Sequence, residues 1–225
     1  CSYCNFRLDP EADDSLTKSD LLDILKQLDI ERVAEILVLS GEVHPESNRR
    51  IKWFTKVKEI CELALSFGFL PHTNVGPLSW PEMEQLKKVN VSMGLMLEQI
   101  NPQFMQTVHK YAPSKEPKLR SQQLEWAGKL KIPFTTGILL GIGETQSDIR
   151  DSLEEIARIH QKWGHIQEVI LQPHSVGTKQ VLNAPSFDPQ QLPVIIAQAK
   201  MILPSEIAIQ IPPNLVPDAS FLLEC

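Results

Sequence analysis

What this sequence does not contain narrows its function before anything it does contain. No stretch of the 225 residues approaches the ~18 consecutive apolar residues that crossing a bilayer requires, and the opening residues do not resemble a signal peptide, so the expected compartment is the cytoplasm. There is no basic run, and 22 Lys and Arg against 28 Asp and Glu leave a net charge of -6. A polyanion is captured by clustered cations that displace its counterions, so a nucleic acid is not an expected partner. No internal repeat, low-complexity stretch or Gly/Ser linker divides the chain, which predicts a single domain over 1–225. With 42% hydrophobic residues, disorder is excluded too, because a chain of this composition can bury a substantial core.

Cysteine is sparse and uneven. Of the four, Cys1 and Cys4 form a CxxC, Cys61 stands alone in a helical pattern and Cys225 is the last residue. This is no disulfide framework. Two thiolates at that spacing can share a metal or work as a redox pair, and an iron-sulfur cluster, a dithiol and zinc all stay open on spacing alone. No second CxxC or CxxH follows downstream. The chain also lacks a starting Met and runs from cysteine to cysteine, and is expected to be a fragment trimmed at both ends.

What is present is alternation. Short β-rich apolar runs at 35–39, 69–74, 91–97, 134–140, 166–171 and 207–211 are separated by segments of helical periodicity. The first helix is expected to start near Ser19 as N-cap, with Leu21, Leu22, Leu25 and Leu28 on one stripe. Further helices are expected over 51–67, ended by Gly68, over 79–89 behind a Ser79/Glu82 capping box, and over 119–130, 146–163 and 189–203. Repeated βα units build a parallel sheet, and the fold expected is α/β: a partial TIM-type (β/α) barrel whose first strand precedes Cys1.

In such barrels the chemistry sits where strands end, because side chains there point into an open mouth. Glu42 follows the run at 35–39 beside Gly41, which lets a ligand approach the backbone. Glu98 ends the run at 91–97 and shares its parity with Ser92, Gly94 and Met96, so it can face the lumen. The plain alternative for both is a solvated loop carboxylate. Gly141-Ile142-Gly143-Glu144 fails as a phosphate loop, since neither a Lys-Ser/Thr nor the GxGxxG spacing is there; it suits a strand-to-helix turn against which an adenine could lie, or only a tight barrel turn. The histidines show no metal-ligand spacing and no Ser/His/Asp pattern exists, while Trp53, Trp80 and Trp126 fall in helical segments and read as packing.

Together these pieces resemble the radical S-adenosylmethionine (SAM) superfamily. Cys1-Ser2-Tyr3-Cys4 is similar to the second half of its CxxxCxΦC signature, with Tyr3 in the aromatic slot. The stretches LPHTNVGPLSWPEMEQLKKVNVSMGLMLE (70–98), PFTTGILLGIGET (133–145) and GHIQEVILQPH (164–174) resemble subunit 1 of the 7,8-didemethyl-8-hydroxy-5-deazariboflavin (FO) synthase family. The first signature cysteine would stand four residues before Cys1, outside this sequence.

The resemblance implies a 4Fe-4S cluster with Cys1 and Cys4 as two of three ligands, leaving one iron open to SAM. It implies that Tyr3 packs near the adenine and that Ser40-Gly41-Glu42 stands for a GGE-like motif receiving the SAM amino group, with Ser in place of the first Gly. Glu98 would meet the ribose or methionine part, and Gly137, Ile138, Gly141 and Glu144 would support the adenine. The implied reaction is a lyase step: a 5'-deoxyadenosyl radical starts cyclisation of the tyrosine/5-amino-6-ribitylaminouracil adduct with ammonia release, giving FO for coenzyme F-420. Asn74, Thr136, Gln172 and His174 are candidate substrate contacts. Implied partners are FO synthase subunit 2 and an electron donor such as flavodoxin or ferredoxin. The rival expectations are another radical SAM enzyme, either the partner subunit or a biotin-synthase-like relative, and a zinc-binding barrel module.

Overall fold

The computed structural model describes residues 3–4, 16–180 and 185–216. Cys1 and Cys225 lie outside them. The chain divides into two compact units, an N-terminal one of Leu8–Gly94 and a larger one of Cys1–Arg7 with Leu95–Cys225.

The N-terminal unit runs α1 (Lys18–Gln27), β1 (Glu35–Leu39), α2 (Arg50–Ser66), β2 (Leu70–Asn74), α3 (Trp80–Leu86) and β3 (Ser92–Gly94), with a 3-10 turn over Lys87–Val89. The strands pair in parallel, Leu37 beside His72 and His72 beside Ser92. α1 begins earlier than expected: Thr17, not Ser19, is its N-cap, because Thr17 and Asp20 close a reciprocal capping box. Leu21 and Leu25 bury against Ala64 of α2 and Phe69. α2 stops where Gly68 takes φ +88, a left-handed conformation that costs glycine little. β1 is not the buried strand that its composition predicts. It pairs with β2 alone among the described residues, so Leu37 and Leu39 stay 59% and 67% exposed while Val38 is buried.

The larger unit runs α4 (Pro117–Lys129), β4 (Phe134–Leu140), α5 (Gln146–Trp163), β5 (Ile166–Pro173), α6 (Leu192–Ile202) and β6 (Ala208–Gln210). β5 pairs in parallel with β4 on one side and β6 on the other. Every residue of β4 is buried, as expected of a central parallel strand. α5 starts at a Thr145/Asp148 capping box and ends at Gly164 with φ +63, and it buries Ile149, Leu153 and Ile156. β2 and β4 therefore deliver their ends into loops followed by helices with capping boxes, α3 and α5, whereas α2 and α6 begin without a side-chain cap.

The run at 91–97 is not one regular strand. Pairing as β3 stops at Gly94. In the larger unit the chain goes on beside β4 through Leu95 N–H to the Thr135 carbonyl (3.0 Å) and Glu98 N–H to the Gly137 carbonyl (3.1 Å). Between them Leu97 N–H donates to the Thr136 hydroxyl (3.2 Å) instead of a backbone carbonyl, and Glu98 turns left-handed at φ +68. Those two departures break the ladder.

Candidate active site

In the larger unit, Glu98 is 5% exposed and its carboxylate accepts from Lys115 Nζ at 2.5 Å. Burial alone would push this carboxyl up; the Lys115 and Arg120 cations outweigh it and hold Glu98 below the usual carboxylate range. Arg120 is buried as well, with Nη1 on the Met96 carbonyl (2.8 Å) and Nε on the Ser114 carbonyl (2.7 Å). Its place follows from α4: Arg120, Gln123, Leu124 and Ala127 share the helix's buried stripe. Gln99, fully buried, donates to the Leu139 carbonyl (2.8 Å) and accepts from Ser152 (3.1 Å), which pins the segment after Glu98 to β4 and α5. The result is an ionised carboxylate in a dry setting with its backbone fixed on both sides.

Tyr3 belongs to the same unit. Its hydroxyl and His109 Nε2 are hydrogen-bonded at 3.3 Å, and it packs on the cluster of Phe104, Val108, Leu139 and Ile142. Burial pushes His109 down to about 4, so this ring is neutral at pH 7. Cys4 is a free, half-buried thiol one residue on. Cys61, by contrast, is fully buried, and burial pushes its thiol up to about 11, the mark of an inert core cysteine.

β4 leads into the glycine turn. A Cβ on Gly137 would come within 2.2 Å of the Ile170 carbonyl, so only glycine lets β4 and β5 approach this closely there. Ile138, fully buried, forms the bridge to Glu98. Gly141 and Gly143 take φ +87 and +103, and Glu144 folds back to accept Gly141 N–H (2.6 Å) and Ile142 N–H (2.8 Å). Glu144 thus holds the turn itself. Thr136 is likewise engaged: its hydroxyl donates to the Leu95 carbonyl (2.9 Å) and accepts from Leu97. Gln172 is half-buried on β5, and His174, buried past its end, meets Gln180 Oε1 (3.1 Å) and the Pro185 carbonyl (3.3 Å).

In the N-terminal unit, Ser40-Gly41-Glu42 leaves β1 with Gly41 and Glu42 exposed. Ser40 N–H reaches the carbonyl of Asn74, the last residue of β2 (3.4 Å). Glu42 lies over Gly76: at φ +85, a Cβ there would meet Glu42 Cγ at 2.4 Å. Behind this segment Arg50 is buried in a two-toothed pair with Glu82 (2.8 and 2.7 Å) and also donates to the Val43 (2.5 Å) and Pro77 (2.9 Å) carbonyls. Burial raises the Glu82 carboxyl, but the Arg50 fork and the Ser79 amide and hydroxyl hold it below its ordinary value. Trp53 is more than packing: its indole N–H donates to Ser40 Oγ (2.7 Å), and the Arg50 guanidinium sits 4.4 Å from its ring centre.

Residues 1–156 match the Radical SAM superfamily. A 7,8-didemethyl-8-hydroxy-5-deazariboflavin synthase of Trichormus variabilis is 61% identical over 225 residues, all of this chain and 66% of that protein. The synthase of the same name from Trichodesmium erythraeum is 58% identical, with 100% of this chain and 70% of that protein covered. The chain belongs to the 7,8-didemethyl-8-hydroxy-5-deazariboflavin synthase family of the radical SAM superfamily. It spans about two thirds of the length of the curated relatives it matches.

Solved structures place the fold of this family member. HydG, a maturase of the [FeFe]-hydrogenase, superposes with TM-score 0.76 at 16% identity over 96% of this chain and 50% of that one. Methylornithine synthase, PylB, gives 0.74 at 14% identity over 93% and 59%. The α/β partial barrel of the radical SAM type expected from sequence is the fold observed. No helix among the described residues is long and apolar enough to cross a membrane.

The superfamily works with a 4Fe-4S cluster and SAM. Cys4 fits as one thiolate ligand, being free, half-buried and backed by the anchored Tyr3; Cys1 lies outside the described residues, among which no trio of His, Cys, Asp or Glu gathers for a metal. Gly41, exposed and with nothing within 4 Å of where a Cβ would stand, leaves its backbone open to a ligand, while the space over Gly76 is filled by Glu42. Lys115, Arg120, His109 and the Arg50-Glu82 pair escape sequence reasoning. The one legible signal is Arg120, a charge at helical spacing from Leu124 and Ala127 on a face that must be buried.

Proposed function

We propose that the full-length protein makes FO: it cyclises the tyrosine/5-amino-6-ribitylaminouracil adduct with release of ammonia, a lyase step in coenzyme F-420 biosynthesis. One observation carries this reading, the 61% identity to a synthase of that name over the entire chain. Cys1, Cys4 and a cysteine upstream of this sequence are the cluster ligands, and the three segments 40–42, 98 and 137–144 receive SAM. When bound, the cluster and SAM supply an electron and the 5'-deoxyadenosyl radical that takes hydrogen from the substrate.

The chain's own residues prepare the site for that chemistry. Glu98, kept ionised by Lys115, retains acceptor positions for the ribose hydroxyls of SAM. Glu42 offers a carboxylate to the SAM amino group. Glu144 fixes the Gly141 turn by accepting from the Gly141 and Ile142 amides, which sets the backbone assigned to the adenine. A neutral, polar adduct asks for hydrogen-bond partners more than charge; Asn74 and Gln172 stand at strand ends and are assigned to it, while His174, its ring nitrogens engaged with Gln180 and Pro185, serves by holding the segment after β5. Thr136, its hydroxyl engaged with Leu95 and Leu97, serves the site by holding the backbone before Glu98. The 1–225 chain is read as the barrel domain of a cytoplasmic enzyme that receives its substrate from FO synthase subunit 2 and electrons from a flavodoxin or ferredoxin.

The test is product analysis. Anaerobically reconstituted full-length protein, given the preformed adduct, SAM and reductant, is expected to yield a deazaflavin fluorophore. SAM cleavage without the fluorophore would point to another radical SAM reaction, and zinc at one equivalent without sulfide to a binding module.

A further inference from the structure

Glu42 is exposed on a loop, yet the reading above asks it to hold one charged group in a fixed place. A loop carboxylate alone does not do this, because side-chain and backbone freedom must be lost each time the ligand binds. The structure carries a buried device behind the loop. Arg50, at the first turn of α2, reaches the Val43 carbonyl next to Glu42, the Pro77 carbonyl next to Gly76, and both oxygens of Glu82 at the start of α3. Val43 and Pro77 each adjoin one half of the Glu42-over-Gly76 contact, so one guanidinium fixes both loops.

Trp53 extends the device to the other end of the motif. Its ring lies against the guanidinium and its indole N–H holds Ser40 Oγ, whose hydroxyl in turn donates to the Gly41 carbonyl (3.0 Å). The serine that stands in place of the first glycine of a GGE-like motif is therefore tied into the same set of contacts. A lysine in place of Arg50 has one nitrogen and cannot span two carbonyls and a carboxylate.

We infer that Arg50, oriented by Glu82 and Trp53, is the positioning residue for the Ser40-Gly41-Glu42 segment and sets its affinity for the amino acid part of SAM. The inference rests on the proposed role of Glu42. Its consequence is separable from simple stability: loosening the staple should weaken SAM binding while leaving the cysteine loop, and hence the iron content, untouched.

The experiment is equilibrium dialysis of labelled SAM against anaerobically reconstituted full-length protein, with iron, sulfide and melting temperature measured on the same samples. Arg50→Lys and Glu42→Gln are each expected to raise the SAM dissociation constant roughly tenfold with iron and sulfide unchanged. The double variant should add little to Glu42→Gln alone, since both act on one contact. If Arg50→Lys does not fold, Trp53→Phe keeps the ring under the guanidinium and removes only the indole donor; a severalfold loss of SAM affinity is expected. Glu42→Gln weakening SAM while the Arg50 and Trp53 variants stay within twofold of wild type, whatever their melting temperatures, overturns the inference and leaves the Glu42 reading standing. An unchanged Glu42→Gln removes that reading and the inference with it.

Discussion

Glu98 and Glu42 show two ways to fix a carboxylate. In the larger unit, Glu98 is itself buried and meets its counter-charge directly, a lysine at 2.5 Å with an arginine close by. In the N-terminal unit, Glu42 is exposed and the buried charges lie behind it, where Arg50, paired with Glu82, holds the carbonyls of Val43 and Pro77, the residues that follow the carboxylate and the glycine beneath it. The first arrangement makes the carboxylate part of the core, so folding and binding share one group. The second separates them, since the exposed side chain can change while the staple keeps the loop.

The contrast is broken most sharply at Lys115. Lys115→Met leaves a buried carboxylate without its partner and is expected to cost about 3–5 kcal/mol in urea unfolding, most of it recovered in Glu98→Gln/Lys115→Met. Glu42→Gln should cost within about 0.5 kcal/mol, as an exposed substitution does. Equal losses at the two sites would abolish the distinction.

Gly76→Ala comes next. It forces a Cβ into the space of Glu42 at a left-handed φ of +85 and is expected to cost about 1–2 kcal/mol, with SAM affinity falling in parallel. A free energy of unfolding unchanged from wild type would mean that Glu42 does not rest there.

The pH dependence sharpens the comparison further. His165 is buried in the larger unit, and burial, outweighing its contact with the Leu124 backbone, pushes it down to about 4. The unfolded chain binds a proton near pH 6.5, so stability from this group is present above that pH. It is lost as pH falls toward 4, by roughly 1 kcal/mol per unit. His165→Leu should flatten unfolding free energy against pH between those limits, and a slope equal to wild type would contradict the buried neutral ring. The smallest effect belongs to Arg32 and Asp29, an exposed pair at 3.5 Å with side chains 85% and 56% accessible; Arg32→Ala should change stability by less than about 0.5 kcal/mol.

The parts legible in the sequence are those whose partners are near in the chain. β4 and α5 have the bounds expected, because an apolar β-branched run, a glycine turn and a Thr145/Asp148 capping box all lie within one βα unit. The GIGET turn was recognisable for the same reason, although the duty of Glu144, to cap its own turn, shows only in the structure. The connection after Glu98 reads as polar loop because its decisive bonds reach across the fold: Lys115 to Glu98, Gln99 to Ser152, and Tyr3 to His109, 106 residues apart. The composition of β1 reads as buried, but composition does not say how many neighbours a strand has, and among the described residues β1 pairs with β2 alone. Trp53 reads as packing in the sequence because a helical tryptophan's N–H finds its acceptor only in three dimensions.

Trp53 also makes the motif observable without a label. Its ring faces a cation 4.4 Å away and its indole nitrogen is committed to Ser40, two contacts to which tryptophan emission responds. Replacing Trp80, Trp126 and Trp163 by phenylalanine would leave one tryptophan in the chain, in the first turn of α2 and bonded to Ser40 at the end of β1. Titrating such a protein would turn loop rearrangement into a change of colour and brightness, readable in an anaerobic cuvette in real time.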